Sequence, residues 1–106
     1  MSNEIVVHKG RTNVLIVDLG FDVSADTFTS EIRADPKQTA LLIATWEVGF
    51  VSDGSDGKVR LRLDDVITAQ ITASGGFMDM KRMSGGEALP VFDKALEVTF
   101  RGSVTV

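Results

Sequence analysis

Polar and apolar positions alternate with a period of two over most of the chain. Near the C-terminus Leu96, Val98, Phe100, Gly102, Val104 and Val106 alternate with Glu97, Thr99, Arg101, Ser103 and Thr105. A strand sends successive side chains to opposite faces, so this run predicts a long strand with one buried face. Val59, Leu61 and Leu63 alternate in the same way with Lys58, Arg60 and Arg62, and Phe28, Ser30 and Ile32 alternate with Thr27, Thr29, Glu31 and Arg33. Around Trp46, one face carries Leu42, Ala44, Trp46, Val48 and Phe50. The other mixes Leu41, Ile43 and Val51 with Thr45, Glu47 and Gly49. That stretch predicts one strand, buried on one side and partly covered on the other. Residues 12–19 and 77–83 read as further strands, and Glu4 to His8 as a short one. Threonine, valine, isoleucine and phenylalanine dominate these runs, which suits a pleated, half-buried surface.

Turn signals separate the runs. Asp35-Pro36 closes one strand, and Ser52 to Gly57 closes another. Asp56-Gly57 is a hairpin signal because glycine accepts a positive φ. Gly75-Gly76 precedes the strand at 77–83 and Ser84-Gly85-Gly86 follows it. Residues 87–94 are the least regular, and Pro90 makes them a loop or an edge strand. One segment departs from the period of two. In residues 64–71, Ile67 and Ile71 lie four apart and would stack on one helical face, with Asp64 or Asp65 as cap. A short helix near 65–71, crossing an end of the molecule, is expected; a strand is the alternative, since Val66, Ile67 and Ile71 are β-branched. Together the pattern predicts an all-β, two-sheet antiparallel sandwich of about seven strands. Residues 1–106 read as one domain, with 1–10 as an extended arm or edge strand. The predicted core includes Phe28, Ile32, Trp46, Val48, Leu61, Met80, Val98 and Phe100.

Composition narrows the chemistry. At 106 residues the chain fits one domain, and 43% apolar with 25% charged residues is ordinary for a globular protein. With no cysteine, disulfides, thiolate metal sites and cysteine nucleophiles are excluded. Eleven basic against fifteen acidic residues leave a net charge of −4, which argues against a nucleic-acid partner. No apolar run approaches the ~18 residues of a spanning helix, so no membrane partner is expected. The start of the chain lacks a basic region, a long apolar stretch and a cleavage site, so the product is expected to remain in the cytoplasm where it is made.

The candidate sites each fail a chemical requirement. His8 is the single histidine and has no cysteine or second histidine to join it in a metal site. Asp53, Ser55 and Asp56 suggest a calcium loop, but Gly57, Lys58 and Asp64 stand where an EF-hand needs an oxygen ligand, glycine and glutamate. The same stretch lacks the spacing of a phosphate-binding loop. Asp64-Asp65 are neighbours that would diverge on a strand, so a helix cap suits them better than acid–base work. No catalytic, cofactor-binding or metal site is therefore expected, and the protein is expected not to be an enzyme. Met78 and Met80 share one strand face and read as core filling. Lys58, Arg60 and Arg62 form a basic stripe, with Lys81 and Arg82 on a later strand. The stripe is either a contact surface for an acidic partner or a solvated face paired with acids such as Glu31, Glu47, Asp79 or Glu97. The terminal segment Glu4, Ile5, Val6, Val7 and His8 is short and apolar, and it is a candidate for edge pairing or strand exchange with a neighbouring copy.

The ordered set of runs resembles a phage module. Residues 26–33 (DTFTSEIR), 56–63 (DGKVRLRL), the short 66–71 segment, 77–81 (FMDMK) and 101–106 (RGSVTV) follow the order and spacing of the N-terminal domain of siphophage upper baseplate proteins and related tail-fibre-associated proteins. The resemblance covers residues 11–106. It implies an immunoglobulin-like fold, a place in the virion after assembly in the host cytoplasm, and partners among other tail, baseplate, fibre or capsid proteins, with several copies in the particle. In those relatives this domain docks the protein onto the phage body and a following region serves the receptor binder. The sequence here ends with the domain, so the expected role is a tail, baseplate or fibre-attachment adaptor. A capsid decoration protein is the alternative. A carbohydrate or host-surface binding module would want exposed tryptophan or tyrosine platforms, and the chain has one tryptophan and no tyrosine.

Overall fold

The computed structural model describes residues 5–35, 41–92 and 94–102. Among them the chain forms nine strands and one short helix in two facing sheets. The strands are β1 (Ile5–His8), β2 (Asn13–Asp18), β3 (Thr27–Arg33), β4 (Leu42–Thr45), β5 (Glu47–Phe50), β6 (Lys58–Leu63), β7 (Gly75–Ser84), β8 (Glu87–Pro90) and β9 (Leu96–Arg101), with helix α1 (Asp65–Ala69) between β6 and β7. The larger sheet runs β1-β9-β7-β3-β4, and β8 pairs with β7 beyond the end of β9. The smaller sheet runs β2-β6-β5. The two-sheet all-β sandwich is thus the fold. Its β2-β6-β5 and β9-β7-β3-β4 orders are the B-E-D and G-F-C-C′ orders of an immunoglobulin-like sandwich.

Two features refine the expected architecture. The count is nine rather than about seven, because residues 87–90 form an edge strand and the run around Trp46 is two strands. β1 is also parallel to β9, while every other pair is antiparallel. The split at Trp46 has a simple cause. β4 lies in the larger sheet and β5 in the smaller one, and Trp46 bridges them with its backbone N–H donating to the Ser30 carbonyl at 2.9 Å. Both sheets face one core, so a chain that changes sheets keeps the same side inward. From Ala44 to Val48 its alternation is unbroken, so the period of two hides the crossing. Just before it, a register shift opposite Ile32 and Arg33 turns the expected inward residue Leu42 outward, 45% exposed, and packs Ile43 against the core.

The core lies between the inner faces. Ile32, Met78, Met80, Val98 and Phe100 come from the larger sheet, and Val59, Leu61 and Leu63 from the smaller. Of the predicted core, Phe28, Ile32, Trp46, Leu61, Met80, Val98 and Phe100 are buried, and Val48 packs against them partly buried. Buried Ser30 is satisfied by donating its hydroxyl to the Asp79 carbonyl at 2.6 Å. Val23, in the loop between β2 and β3, is also buried and plugs one end of the sandwich.

Helix α1 is capped by Asp64, whose carboxylate accepts from the Asp65 N–H at 3.0 Å. The expected stack of Ile67 on Ile71 is not the buried surface. The helix ends at Ala69, Ile71 continues into the core, and Ile67 is 43% exposed. The inward helical residue is Thr68, whose hydroxyl donates to the Arg11 carbonyl at 2.7 Å. No helix among the described residues is long and apolar enough to cross a membrane. Glu4, Pro36 and residues 103–106 of the expected C-terminal strand lie outside the described residues.

Candidate functional site

The terminal segment is seated on its own chain. Ile5, Val6, Val7 and His8 stand beside Val98, Thr99, Phe100 and Arg101, and Val7 is fully buried. Asn13 holds this strand across the seam between the two sheets. Its side-chain oxygen accepts from the His8 N–H and its amide nitrogen donates to the His8 carbonyl, both at 2.9 Å. The amide copies the bonding of a strand neighbour where none exists. Asparagine is depleted in strands, so its place at the start of β2 was a signal in the sequence. The outer edge of β1 remains the edge of the larger sheet.

The two loops at one end form a closed acidic cluster. The segment 19–26 lies against Ser52–Gly57: the Leu19 N–H donates to the Gly57 carbonyl at 2.8 Å, and the Val23 N–H to the Gly54 carbonyl at 2.9 Å. Gly57 has a φ of +78°, and a Cβ there would sit 2.5 Å from the Phe21 carbonyl oxygen. Only glycine meets both conditions. Each aspartate in these loops accepts a bond from its own chain. Asp22 accepts the Ser24 N–H and hydroxyl at 2.9 and 2.7 Å, and Asp53 accepts the Ser55 N–H and hydroxyl at 3.0 and 2.6 Å. These bonds hold both carboxyls below the ordinary carboxylate value, led by the Ser24 N–H for Asp22 and the Ser55 hydroxyl for Asp53. Asp18 and Asp56 accept from the N–H groups of Gly20 and Lys58. Among the described residues no group of three or more histidine or carboxylate side chains is gathered to hold a metal ion.

The cations of the expected basic surface divide among three places, and Lys81 stands alone of them on the outer face of the larger sheet, beside Thr29 and Pro90. Arg82, read from sequence as part of a basic surface, turns into the seam beside that loop end. Its guanidinium donates to Asp26 at 3.3 Å and lies 4.9 Å from the Phe21 ring centroid. The register of β7 against β3 sets Arg82 beside Phe28 on the inner side, so the partner must come from the β2–β3 loop. Lys58, Arg60 and Arg62 do share a face, the outer face of the smaller sheet. Arg62 approaches Glu47 at 3.8 Å and Asp64 at 3.7 Å, too far for hydrogen bonds. Among the described residues no carboxylate forms an ion pair with Lys58 or Arg60. Beside this column stand Val14 and Ile16 of β2, 55% and 47% exposed. The sequence reading missed these two, since Leu15 and Val17 compete with them for the buried face and alternation alone does not say which pair wins.

No protein-family model matches this sequence, and no curated protein matches it either.

Proposed function

We propose that this protein is a non-enzymatic structural subunit of a bacteriophage particle, an adaptor at the tail, baseplate or fibre-attachment site. The observation that carries the reading is where the resembling segments fall. Residues 26–33, 56–63 and 77–81 lie on or beside β3, β6 and β7, three strands of one immunoglobulin-like sandwich, and 66–71 covers most of α1 and the turn after it. An adaptor needs surfaces rather than a reaction centre. Among the described residues β1 and β4 are the edges of the larger sheet, and apart from the His8 groups that Asn13 holds these edges can pair with another chain. A carbohydrate-binding role is less well supported, because Trp46 is 3% exposed and offers no stacking platform.

Mass spectrometry of purified, dissected virions tests the proposal. Enrichment with tail or fibre fractions, in a copy number that matches a ring symmetry, is the expected result. Enrichment with empty shells would replace the adaptor by a decoration role. Absence from particles would overturn the structural reading.

A further inference from the structure

The outer face of the smaller sheet joins an aliphatic strip to a cation column. Strand pairing arranges it in three rows. Asp18, Lys58 and Val51 form the first, with Val51 placed by its N–H bond to the Lys58 carbonyl at 3.3 Å. Ile16, Arg60 and Gly49 form the middle row, and Val14, Arg62 and Glu47 the third. Val14, Ile16 and Val51 are each about half exposed. The middle row holds no acid, and its guanidinium lies 3.5 Å from where a Cβ of Gly49 would stand. Gly49 thus leaves room for the Arg60 side chain to lie across β5. A solvated sheet face is usually polar and cross-paired. This one has apolar residues at its corners and centre edge and, among the described residues, no ion pair closer than 3.7 Å.

We infer that this face docks an extended protein segment of acidic and aliphatic composition that sets a carboxylate on Arg60. Charge complementarity selects the carboxylate: Asp18 stands beside Lys58 and Glu47 beside Arg62, which leaves Arg60 as the cation whose row holds no acid. Alternate side chains of an extended chain project to the same side and repeat at roughly 6.8 Å, so the residues two positions to either side of that carboxylate face the sheet with it. Aliphatic residues there cover Val14, Ile16 and Val51, which flank Arg60 on both sides. Nucleic acid fits less well: the face carries no aromatic for base stacking, and a chain of net charge −4 repels a polyphosphate at long range. The inference holds for this surface whether or not the protein belongs to a phage particle.

The test uses the full chain, 15N-labelled, titrated with a capped peptide of about nine residues that has a central glutamate, valines at every second position to either side of it and threonines between, long enough to span β6. Amide shift changes are expected on β2, β5 and β6 alone. Arg60→Glu should weaken binding at least about tenfold, and Ile16→Thr about threefold, with unchanged thermal midpoints. The same peptide with a central glutamine should bind at least about tenfold more weakly than its glutamate counterpart. Four results would overturn the inference: no shifts at millimolar peptide, shifts centred elsewhere, equal binding of an oligothymidylate, or the same shifts on raising protein concentration alone, which would make a second copy the occupant.

Discussion

Residues 52–57 and 58–63 are neighbours in sequence, and both are dense in charge, yet their charges meet opposite fates. In the loop Ser52–Gly57 the aspartates accept bonds from serines and backbone N–H groups of their own chain. In β6 the basic side chains face outward with no hydrogen-bonded acid among the described residues. The difference follows from geometry. A turn brings N–H groups within reach of a short carboxylate, so aspartate closes on itself. A strand holds its backbone donors in the ladder and throws long side chains clear of it, so cations there need a partner from another strand or another molecule. A charged loop is therefore weak evidence for a ligand, and a cation column beside exposed aliphatics is better evidence.

The largest effect expected in this part of the molecule comes from the inward side of β6. Leu61 is fully buried directly next to Arg60, and Leu61→Ala should lose about 2–5 kcal/mol in urea melts, the usual cost of such a cavity. Gly57→Ala strikes the loop end. It forces a non-glycine residue into positive φ and a carbon onto the Phe21 backbone, and about 1–3 kcal/mol of lost stability is expected in the same melts. Arg82→Ala removes the cation facing Asp26, which is 10% exposed on its side chain, against 22% for Arg82. Partial solvation limits the loss to about 1–2 kcal/mol. A smaller change of stability than in Arg60→Ala would show that the seam pair is not what ties the loop to β7.

The loop aspartates make a pH prediction. Asp22 and Asp53 have folded values below the ordinary 3.8. A lowered folded value means a stabilising contribution that is present above the unfolded value and lost as pH falls through the folded one. Removing the hydroxyl donors with Ser24→Ala and Ser55→Ala should therefore lower stability slightly at neutral pH, leave it nearly unchanged in acid, and so flatten the fall below about pH 4. Ser55→Ala should have the larger effect of the two, because an alanine at position 24 keeps the N–H that leads for Asp22. Acid titrations followed by circular dichroism measure this. An acid limb identical to that of the unaltered protein would mean that the serine bonds do not hold these carboxyls in solution. The smallest effect is Arg60→Ala, expected within about 0.5 kcal/mol. A larger loss would mean that Arg60 supports the fold and that its face is not open.

Alternation made the inner faces legible, because burial of a strand face writes itself directly into every second residue. It carried Phe28, Ile32, Leu61, Met80, Val98 and Phe100 to the core correctly. What escaped it were features that depend on where a segment sits rather than on its own period. The crossing at Trp46 preserves alternation, so one strand was expected where two exist. Val23 is buried from a loop, where no period applies. Thr68 displaced Ile67 inward because the helix lies beside the Arg11 carbonyl, a contact 57 residues away in sequence. The proposed contact surface was half legible. Lys58, Arg60 and Arg62 were visible as a stripe, but the aliphatic partners Val14 and Ile16 come into view only through the pairing of β2 with β6. Arg82 looked like part of the same surface until the register of β7 turned it into the seam.

The most direct test sets the two charged regions against each other in one experiment. The labelled chain is titrated in parallel with the capped glutamate-centred peptide and with its lysine-centred counterpart. The account predicts that the acidic peptide shifts the amides of β2, β5 and β6, and that the basic peptide binds residues 19–26 and 52–57 at least about tenfold more weakly, since those aspartates are already bonded within the chain. Equal or tighter binding of the basic peptide at the loop end, with the outer face of the smaller sheet silent to the acidic one, would contradict it.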